Sequence, residues 1–190
     1  NKEFDNNILS ITAWCSSGIH TIGIHMVDLL RNISGEVKSV YAFKERFNIR
    51  SLPYSKNFTS EDPRFNTFLE FKNGNNGVLF NSAKSDFTFF EVEAICKTGR
   101  IRASDNGNKL VYQKKIPPKK STLSYKLGTE KEVKFKSKSL FKLIIDEVLD
   151  GSYKKSPINA DEALKSYQVI ELMIKSSKTK KVQYVKSIDI

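Results

Sequence analysis

Hydrophobic and polar residues follow two different periods along this 190-residue chain. Between Gly18 and Gly35 the apolar residues recur with a helical period, at Ile19, Ile22, Met26, Leu29, Leu30 and Ile33. This stripe predicts an amphipathic helix that begins near Gly18. Gly35 is its expected end, because glycine commonly closes a helix in a left-handed conformation.

A period of two dominates the middle of the chain. Phe65, Thr67, Leu69 and Phe71 alternate with residues of the opposite face, and residues 73–77 (NGNNG) have the composition of a hairpin turn. After a strand that precedes the first helix, the pattern predicts strands over residues 37–47, 65–72, 78–83, 88–96, 100–103, 109–113, 122–127, 131–136 and 182–185.

Two more helices are predicted near the end of the chain. The first carries apolar residues up to Gly151, namely Leu140, Phe141, Ile144, Ile145, Val148 and Leu149. The second begins at Asn159, which forms a capping-box pattern with Glu162. Its predicted inward residues are Ala163, Tyr167, Ile170, Met173 and Ile174.

This order of elements predicts an α+β domain with an open, mainly antiparallel sheet. Consecutive strands joined by tight turns require antiparallel neighbours, and so few helices must gather on one face of the sheet. Phe68 with Phe71, and Phe89 with Phe90, place large apolar side chains on both sides of their strands. We therefore expect the uncovered face to pair with a second copy of the chain.

Length and composition indicate one domain over residues 1–190. Hydrophobic residues make up 39% and aromatic residues 11%, which is typical of a globular protein. No apolar run approaches the roughly 18 residues that a membrane span needs, so no membrane partner is expected. Cys15 and Cys96 are too few for a disulfide framework, which favours reduced thiols and a cytoplasmic protein.

The net charge of +11 raises the possibility of nucleic-acid binding. Most of the excess lies between Lys109 and Lys142, where eleven lysines face two acidic residues. Lysine dominates there, whereas base recognition favours arginine, and no aromatic ladder is interleaved with these lysines. A solvated edge or loop explains the segment better, so no nucleic-acid partner is expected.

Few residues in the chain suggest cofactor or metal chemistry. It lacks a Gly-x-Gly-x-x-Gly motif, so this segment alone is not expected to hold a dinucleotide. The only histidines, His20 and His25, are five residues apart, about 140° around a helix. They cannot converge on one ion, and no metal is predicted.

His25 has the most suggestive neighbours. Thr21 precedes it by four residues and Asp28 follows by three, so a helix would place all three on one side. A histidine can take a proton from an alcohol while hydride leaves the same carbon, and a nearby carboxylate can orient its ring. A structural histidine bonded to a neighbouring element is the alternative, and spacing alone favours it.

Residues 18–30 (GIHTIGIHMVDLL), followed by Gly35 and Glu36, resemble the second domain of Gfo/Idh/MocA oxidoreductases. That domain typically reads Gly-x-x-(Asp)-x-Gly-x-His-x-x-Asp-Leu-Leu and then Gly-Glu. The resemblance continues in the same order downstream, at residues 71–74 (FKNG), 96–101 (CKTGRI), 159–164 (NADEAL) and 176–178 (SSK).

The resemblance implies a carboxy-terminal domain of the glyceraldehyde-3-phosphate-dehydrogenase-like type, with an amino-terminal Rossmann domain missing from this chain. NAD or NADP would bind to that other domain, with no cofactor in this fragment, which alone would be inactive. The expected substrate is a sugar, a cyclitol or a nucleotide-linked sugar, oxidised or reduced at a hydroxyl or carbonyl. The expected assembly is a homo-dimer or tetramer through the sheet.

The resemblance also assigns site residues. His25 falls on the catalytic or proton-relay histidine, and His25 and Asp28 would contact substrate. Thr21, the second candidate catalytic residue, stands where the family often has an aspartate. Its hydroxyl can hydrogen-bond a substrate or the ring of His25 but cannot act as a carboxylate base. A non-catalytic, dimerising or partner-binding sheet module therefore stays open as the alternative function.

Overall fold

The computed structural model describes residues 8–45, 62–82, 87–118, 124–134, 149 and 159–186. Within them, ten strands form one sheet. Their bounds are β1 Ile8–Ser16, β2 Val37–Lys44, β3 Phe65–Phe71, β4 Asn76–Ser82, β5 Phe90–Cys96, β6 Gly99–Ser104, β7 Lys109–Ile116, β8 Lys126–Leu127, β9 Lys131–Glu132 and β10 Gln183–Tyr184.

The sheet has the order β10-β2-β3-β4-β1-β5-β6-β7-β8, and β9 also pairs with β7. All of its pairs are antiparallel except β1 with β4, so the predicted mainly antiparallel α+β sheet is confirmed. One expectation was wrong, because β4 and β5 follow each other in the sequence but are not neighbours. The first strand lies between them, with Ala13 paired to Leu79 on one side and to Val92 on the other.

Two helices cover one face of this sheet, as predicted. The first begins as a π-helical turn, Ile19–Gly23, and continues as α1, Ile24–Ser34. The second, α2, spans Ala160–Thr179 and packs against β2 and against α1. The buried core between the helices and the sheet includes Ile11, Ala13, Ile19, Met26, Leu30, Val40, Leu69, Phe71, Leu79, Ile170 and Met173.

Both predicted helix ends are confirmed. Gly35 has φ +90° and donates its N–H to the carbonyl of Arg31, which closes α1. The Asn159 side chain accepts a hydrogen bond from the N–H of Glu162 and so caps α2. The helix predicted before Gly151 lies outside the described residues, apart from the exposed Leu149.

The inward face of α2 was predicted only in part. Ile170 and Met173 are buried as expected, but Ala163 and Tyr167 are exposed. The remaining buried positions are taken by Val169 and by three serines, Ser166, Ser176 and Ser177. Small hydroxyl residues allow α2 to approach its neighbours closely. Apolar periodicity alone cannot detect them.

On the other face of the sheet, neither described helix covers a cluster of aromatic residues, here called the outer aromatic patch: Trp14, Tyr41, Phe43, Phe68 and Phe80. Trp14 and Phe80 stack with their ring centroids 6.3 Å apart, and Tyr41 meets Phe43 edge-on at 4.8 Å. Phe68 is 57% exposed. Within the described residues, neither helix is long and apolar enough to cross a membrane.

Candidate functional site

The candidate site is built where β1 passes into the first helix. The carboxyl group of Asp62 occupies the space that a Cβ atom at Gly18 would fill, so a larger residue there would have to displace that side chain. The Asp62 carboxylate accepts a hydrogen bond from the backbone N–H of His20 at 2.9 Å. Next to it, the N–H of Ile19 donates to the carbonyl of Pro63 at 2.9 Å. The segment at 62–63 thus satisfies donors that every helix start leaves open.

The sequence pattern predicted a regular helix from Gly18, but the first turn of the helix is not an α-turn. The N–H of Gly23 reaches back five residues to the carbonyl of Gly18 at 3.0 Å, which makes the first turn a π turn. Turns of this kind are rare and are often found at functional sites. A side chain at Gly23 would approach the Ile19 side chain to 2.6 Å, so glycine leaves the space that Ile19 fills.

His25 is the second residue of α1, and its side chain is exposed. The neighbouring Met26 and Val27 are buried against the sheet, so His25 points away from the core. Among the described residues, no hydrogen bond, ion pair or ring contact involves its imidazole. The ring is therefore accessible to a molecule or domain that approaches this end of the helix layer.

Thr21 lies one turn before His25 and is also exposed. Its hydroxyl donates to the carbonyl of Gly18 at 3.0 Å and lies 3.0 Å from the hydroxyl of Ser17. Both contacts are local to the helix start, and neither reaches His25. The Thr21 hydroxyl thus contributes to the structure of the turn.

Asp28 faces α2. One carboxylate oxygen accepts a hydrogen bond from the Ser166 hydroxyl at 2.9 Å and lies 3.6 Å from the guanidinium of Arg31. The other oxygen accepts a bond from the Asn32 side chain at 3.3 Å. No contact joins the described side chains of Thr21, His25 and Asp28 into one group. Their assignment as site residues stays a prediction.

Arg31 ties the two helices together, a role that apolar periodicity did not indicate. Its side chain is 3% exposed and donates to Glu36 at 2.8 Å and to the carboxylate of Glu162 at 2.7 Å. It also donates to the carbonyl of Glu162 and to the Ser166 hydroxyl, both at 2.8 Å. Burial opposes the charge, but the bonds and charges of Glu36 and Glu162 raise the pKa of Arg31 overall.

The capping-box pattern in the sequence correctly marked Glu162 as the third residue of α2. Its carboxylate accepts a hydrogen bond from Lys165 at 2.6 Å as well as the bond from Arg31. The bond from Lys165 is the largest of the effects that lower the pKa of Glu162, and Arg31 adds to it. The two helices therefore meet through a charged network with Asp28 at one end.

The other histidine lies apart from this network. The ring of His20 is 6.0 Å from the ring of Tyr167, a residue of α2 that the sequence pattern had placed in the core. Tyr167 is 44% exposed. Within the described residues, no group of three His, Cys, Asp or Glu side chains is placed to hold a metal ion.

A known family of domains matches part of this chain. The family model for the GFO/IDH/MocA C-terminal domain matches residues 11–102, from the middle of β1 to β6. Over these residues the chain is a GFO/IDH/MocA C-terminal domain. The resemblance that the sequence motifs indicated is thereby confirmed. No curated protein matches the chain.

Solved structures share the fold of this GFO/IDH/MocA domain. Levoglucosan dehydrogenase in complex with NADH is similar with a TM-score of 0.69 and 16% identity, over 96% of this chain and 59% of that one. The WlbA dehydrogenase of Bordetella pertussis, in complex with NADH and UDP-GlcNAcA, gives 0.66 and 14%, over 96% and 56%. Aldose-aldose oxidoreductase from Caulobacter crescentus, complexed with glycerol, gives 0.68 and 14%, over 94% and 56%.

At identities of 14–16%, these TM-scores show a common fold and nothing more. The chain spans somewhat more than half the length of the solved structures that it matches. The matched chains therefore each contain a large part with no counterpart in this sequence.

Proposed function

We propose that this domain is the substrate-binding part of an NAD- or NADP-dependent oxidoreductase that acts on a hydroxyl or carbonyl of a sugar, a cyclitol or a nucleotide-linked sugar. The accessible His25 on α1 carries the proposal. An exposed histidine at the start of a helix, with no bonded partner among the described residues, can exchange a proton with substrate. The GFO/IDH/MocA assignment and the NADH-bound solved structures support this chemistry.

The nicotinamide cofactor would be held by a separate Rossmann domain and would supply or accept the hydride. The described residues of this domain would contribute the side of the active site that faces the cofactor. His25 moves the proton at the reacting oxygen. Thr21, four residues before His25, and Asp28, three residues after it, would contact substrate from the same helix.

The proposal is tested by His25→Asn in the full-length parent protein. Loss of the proton-transfer group should lower turnover by about 10²–10⁴, with folding unchanged because the side chain is exposed. His20→Asn is the matched control, since it makes the same chemical change five residues away and should leave turnover intact. Turnover of His25→Asn within about threefold of wild type would show that His25 does not transfer the proton.

A second function is favoured by one observation. The carboxylate of Asp28 is bound by Ser166 and Arg31, and the hydroxyl of Thr21 is bound within its own turn. His25 therefore lacks a carboxylate partner among the described residues. This arrangement suits a domain that has kept the fold for dimerisation or partner binding without catalysis. Absence of any nicotinamide-dependent activity in the full-length protein would favour it.

The outer aromatic patch suggests how the protein assembles in either case. It spans the adjacent strands β2, β3, β4 and β1, and Phe43, Phe68 and Phe80 are each at least 40% exposed. A flat apolar patch that can be matched by its own copy across a two-fold axis is the usual basis of a homo-dimer. We propose that a second copy of the chain covers it.

A further inference from the structure

A buried asparagine lies beneath the start of the candidate site. Asn81 is fully buried on β4 and faces the helix layer, on the same side of the strand as Gly77 and Leu79. Its strand neighbour is Cys15, near the end of β1. A buried amide is unfavourable unless its polar atoms are bonded, so its bonds indicate why it is there.

Each polar atom of the Asn81 side chain has a partner. The amide nitrogen donates to the carbonyl of Ser17 at 2.7 Å and to the sulfur of Cys15 at 3.3 Å. The amide oxygen accepts the backbone N–H of Phe65 at 3.4 Å. The shortest of these bonds goes to Ser17, the residue that joins β1 to Gly18.

Ser17 has an unusual backbone conformation. Its φ is +75°, in the left-handed region that residues other than glycine rarely adopt. This conformation persists only where surrounding bonds enforce it. Ser17 also contacts the turn directly, because its hydroxyl lies 3.0 Å from the hydroxyl of Thr21.

We propose that Asn81 is a positioning residue of the candidate site. Its amide holds the carbonyl of Ser17 and so keeps the backbone in the left-handed conformation that directs β1 into the π turn. The direction of that turn sets where Thr21 and His25 stand on the surface. This inference deepens the proposed function, and its role in substrate conversion rests on it.

A merely packed side chain would not explain these contacts. Thr67 occupies a similar place on β3, where it is fully buried on the same face and paired with Leu79. Its hydroxyl has no hydrogen-bond partner among the described residues. The same layer of the core thus contains Asn81, whose side chain bonds a backbone segment, and Thr67, whose hydroxyl bonds no described residue.

Amide hydrogen exchange of this chain tests the proposal without any assay of activity. In Asn81→Leu, the N–H groups of Ile19 and Gly23 should exchange faster by a factor on the order of 10 to 100, because the turn that protects them loses its support. The N–H of Gly35, at the other end of α1, should be unaffected. Thr67→Val is the matched control and should leave all three unchanged.

Ser17 provides the same test from the other end of the bond. Ser17→Val should also speed exchange at Ile19 and Gly23, because a β-branched residue cannot easily adopt φ +75°. Adding Ser17→Gly to Asn81→Leu should slow that exchange again by about threefold or more, since glycine takes this conformation without strain. A packing defect would not respond to Ser17→Gly.

Each outcome either supports or overturns the proposed role of Asn81. Wild-type exchange at Ile19 and Gly23 in a folded Asn81→Leu chain would overturn it. If Asn81→Leu does not fold, Ser17→Val decides instead: fast exchange supports the inference and wild-type exchange overturns it. A third outcome separates the two proposals: exchange is altered in Asn81→Leu, but turnover of the full-length protein does not depend on His25. In that case Asn81 still sets the turn, and only the proposed function is overturned.

Discussion

The two faces of the sheet are built by the same strands but are completed in different ways. On the covered face, Leu69 and Phe71 of β3 are at most 3% exposed beneath the helices. On the other face of the same strand, Phe68 is 57% exposed. Sequence alternation produces apolar residues on both sides, and only the covered side finds its partners within the described chain.

Polar residues also have different roles on the two faces of the sheet. On the covered side, Arg31 and Asn81 hold backbone and helix segments through several bonds each. On the outer face, Lys38 and Glu70 form an exposed pair that contributes little, as exposed ion pairs generally do. Buried polar groups thus fix the geometry of the site end, while the outer face remains suited to association.

The largest expected effect comes from the covered face. Phe71→Ala should lower the free energy of unfolding by about 3–5 kcal/mol, because it removes a fully buried ring and leaves a cavity. Phe68→Ala makes the same chemical change on the opposite face of β3 and, at concentrations where the chain is monomeric, should cost roughly 0–1 kcal/mol. Denaturant unfolding of both variants measures the contrast. Equal losses would mean that the two faces are equally covered.

A smaller loss is expected where the helices meet. Arg31→Met keeps much of the side-chain volume but removes the bonds to Glu36, Glu162 and Ser166. The abandoned carboxylates are partly exposed and can be hydrated, so the loss should be about 2–3 kcal/mol, below that of a fully buried pair. Unfolding by denaturant measures it, with Lys38→Met as the control at an exposed pair. A loss no larger than that of Lys38→Met would contradict the proposed importance of the network.

The smallest effect on stability is expected on the outer face, together with a change in assembly. Phe68→Asp should leave the unfolding of the monomer nearly unchanged and should weaken self-association at least about tenfold, because a charge would be buried without a partner. Sedimentation over a range of protein concentrations measures the dissociation constant. Thr67→Val, the adjacent residue on the covered face, is the control. A wild-type chain that stays monomeric would remove the proposed interface.

Much of the fold followed from local patterns. The stripe from Ile19 to Ile33 marked the first helix, although Ile33 itself is 40% exposed. Gly35 and Asn159 marked helix ends that the structure confirms. These predictions succeeded because periodicity and capping depend on residues that are close in the sequence. The same motifs also indicated the GFO/IDH/MocA family that the comparison confirms.

The candidate site was predicted less completely. The sequence placed Thr21, His25 and Asp28 together, since a helix brings residues three and four apart to one side. Asp28 instead meets Ser166, 138 residues later in the chain. Asp62, Arg31 and Asn81 escaped notice as parts of the site. Asn81 left a detectable signal, because it is a polar residue at an inward position of an alternating strand.

The sequence by itself determined the class of fold and the start of the helix at Gly18, and it singled out His25 within that helix. It did not determine that His25 is exposed, because spacing alone favoured a histidine bonded to a neighbouring element. Tertiary structure alone decided that β1 would lie between β4 and β5. This placement is what allows the Asn81 side chain to reach the carbonyl of Ser17. The reason is physical: periodicity fixes which face a side chain occupies, but partners that are far apart in the sequence are chosen by the packing of the whole sheet. The left-handed Ser17 that turns the chain toward His25 is a product of that packing.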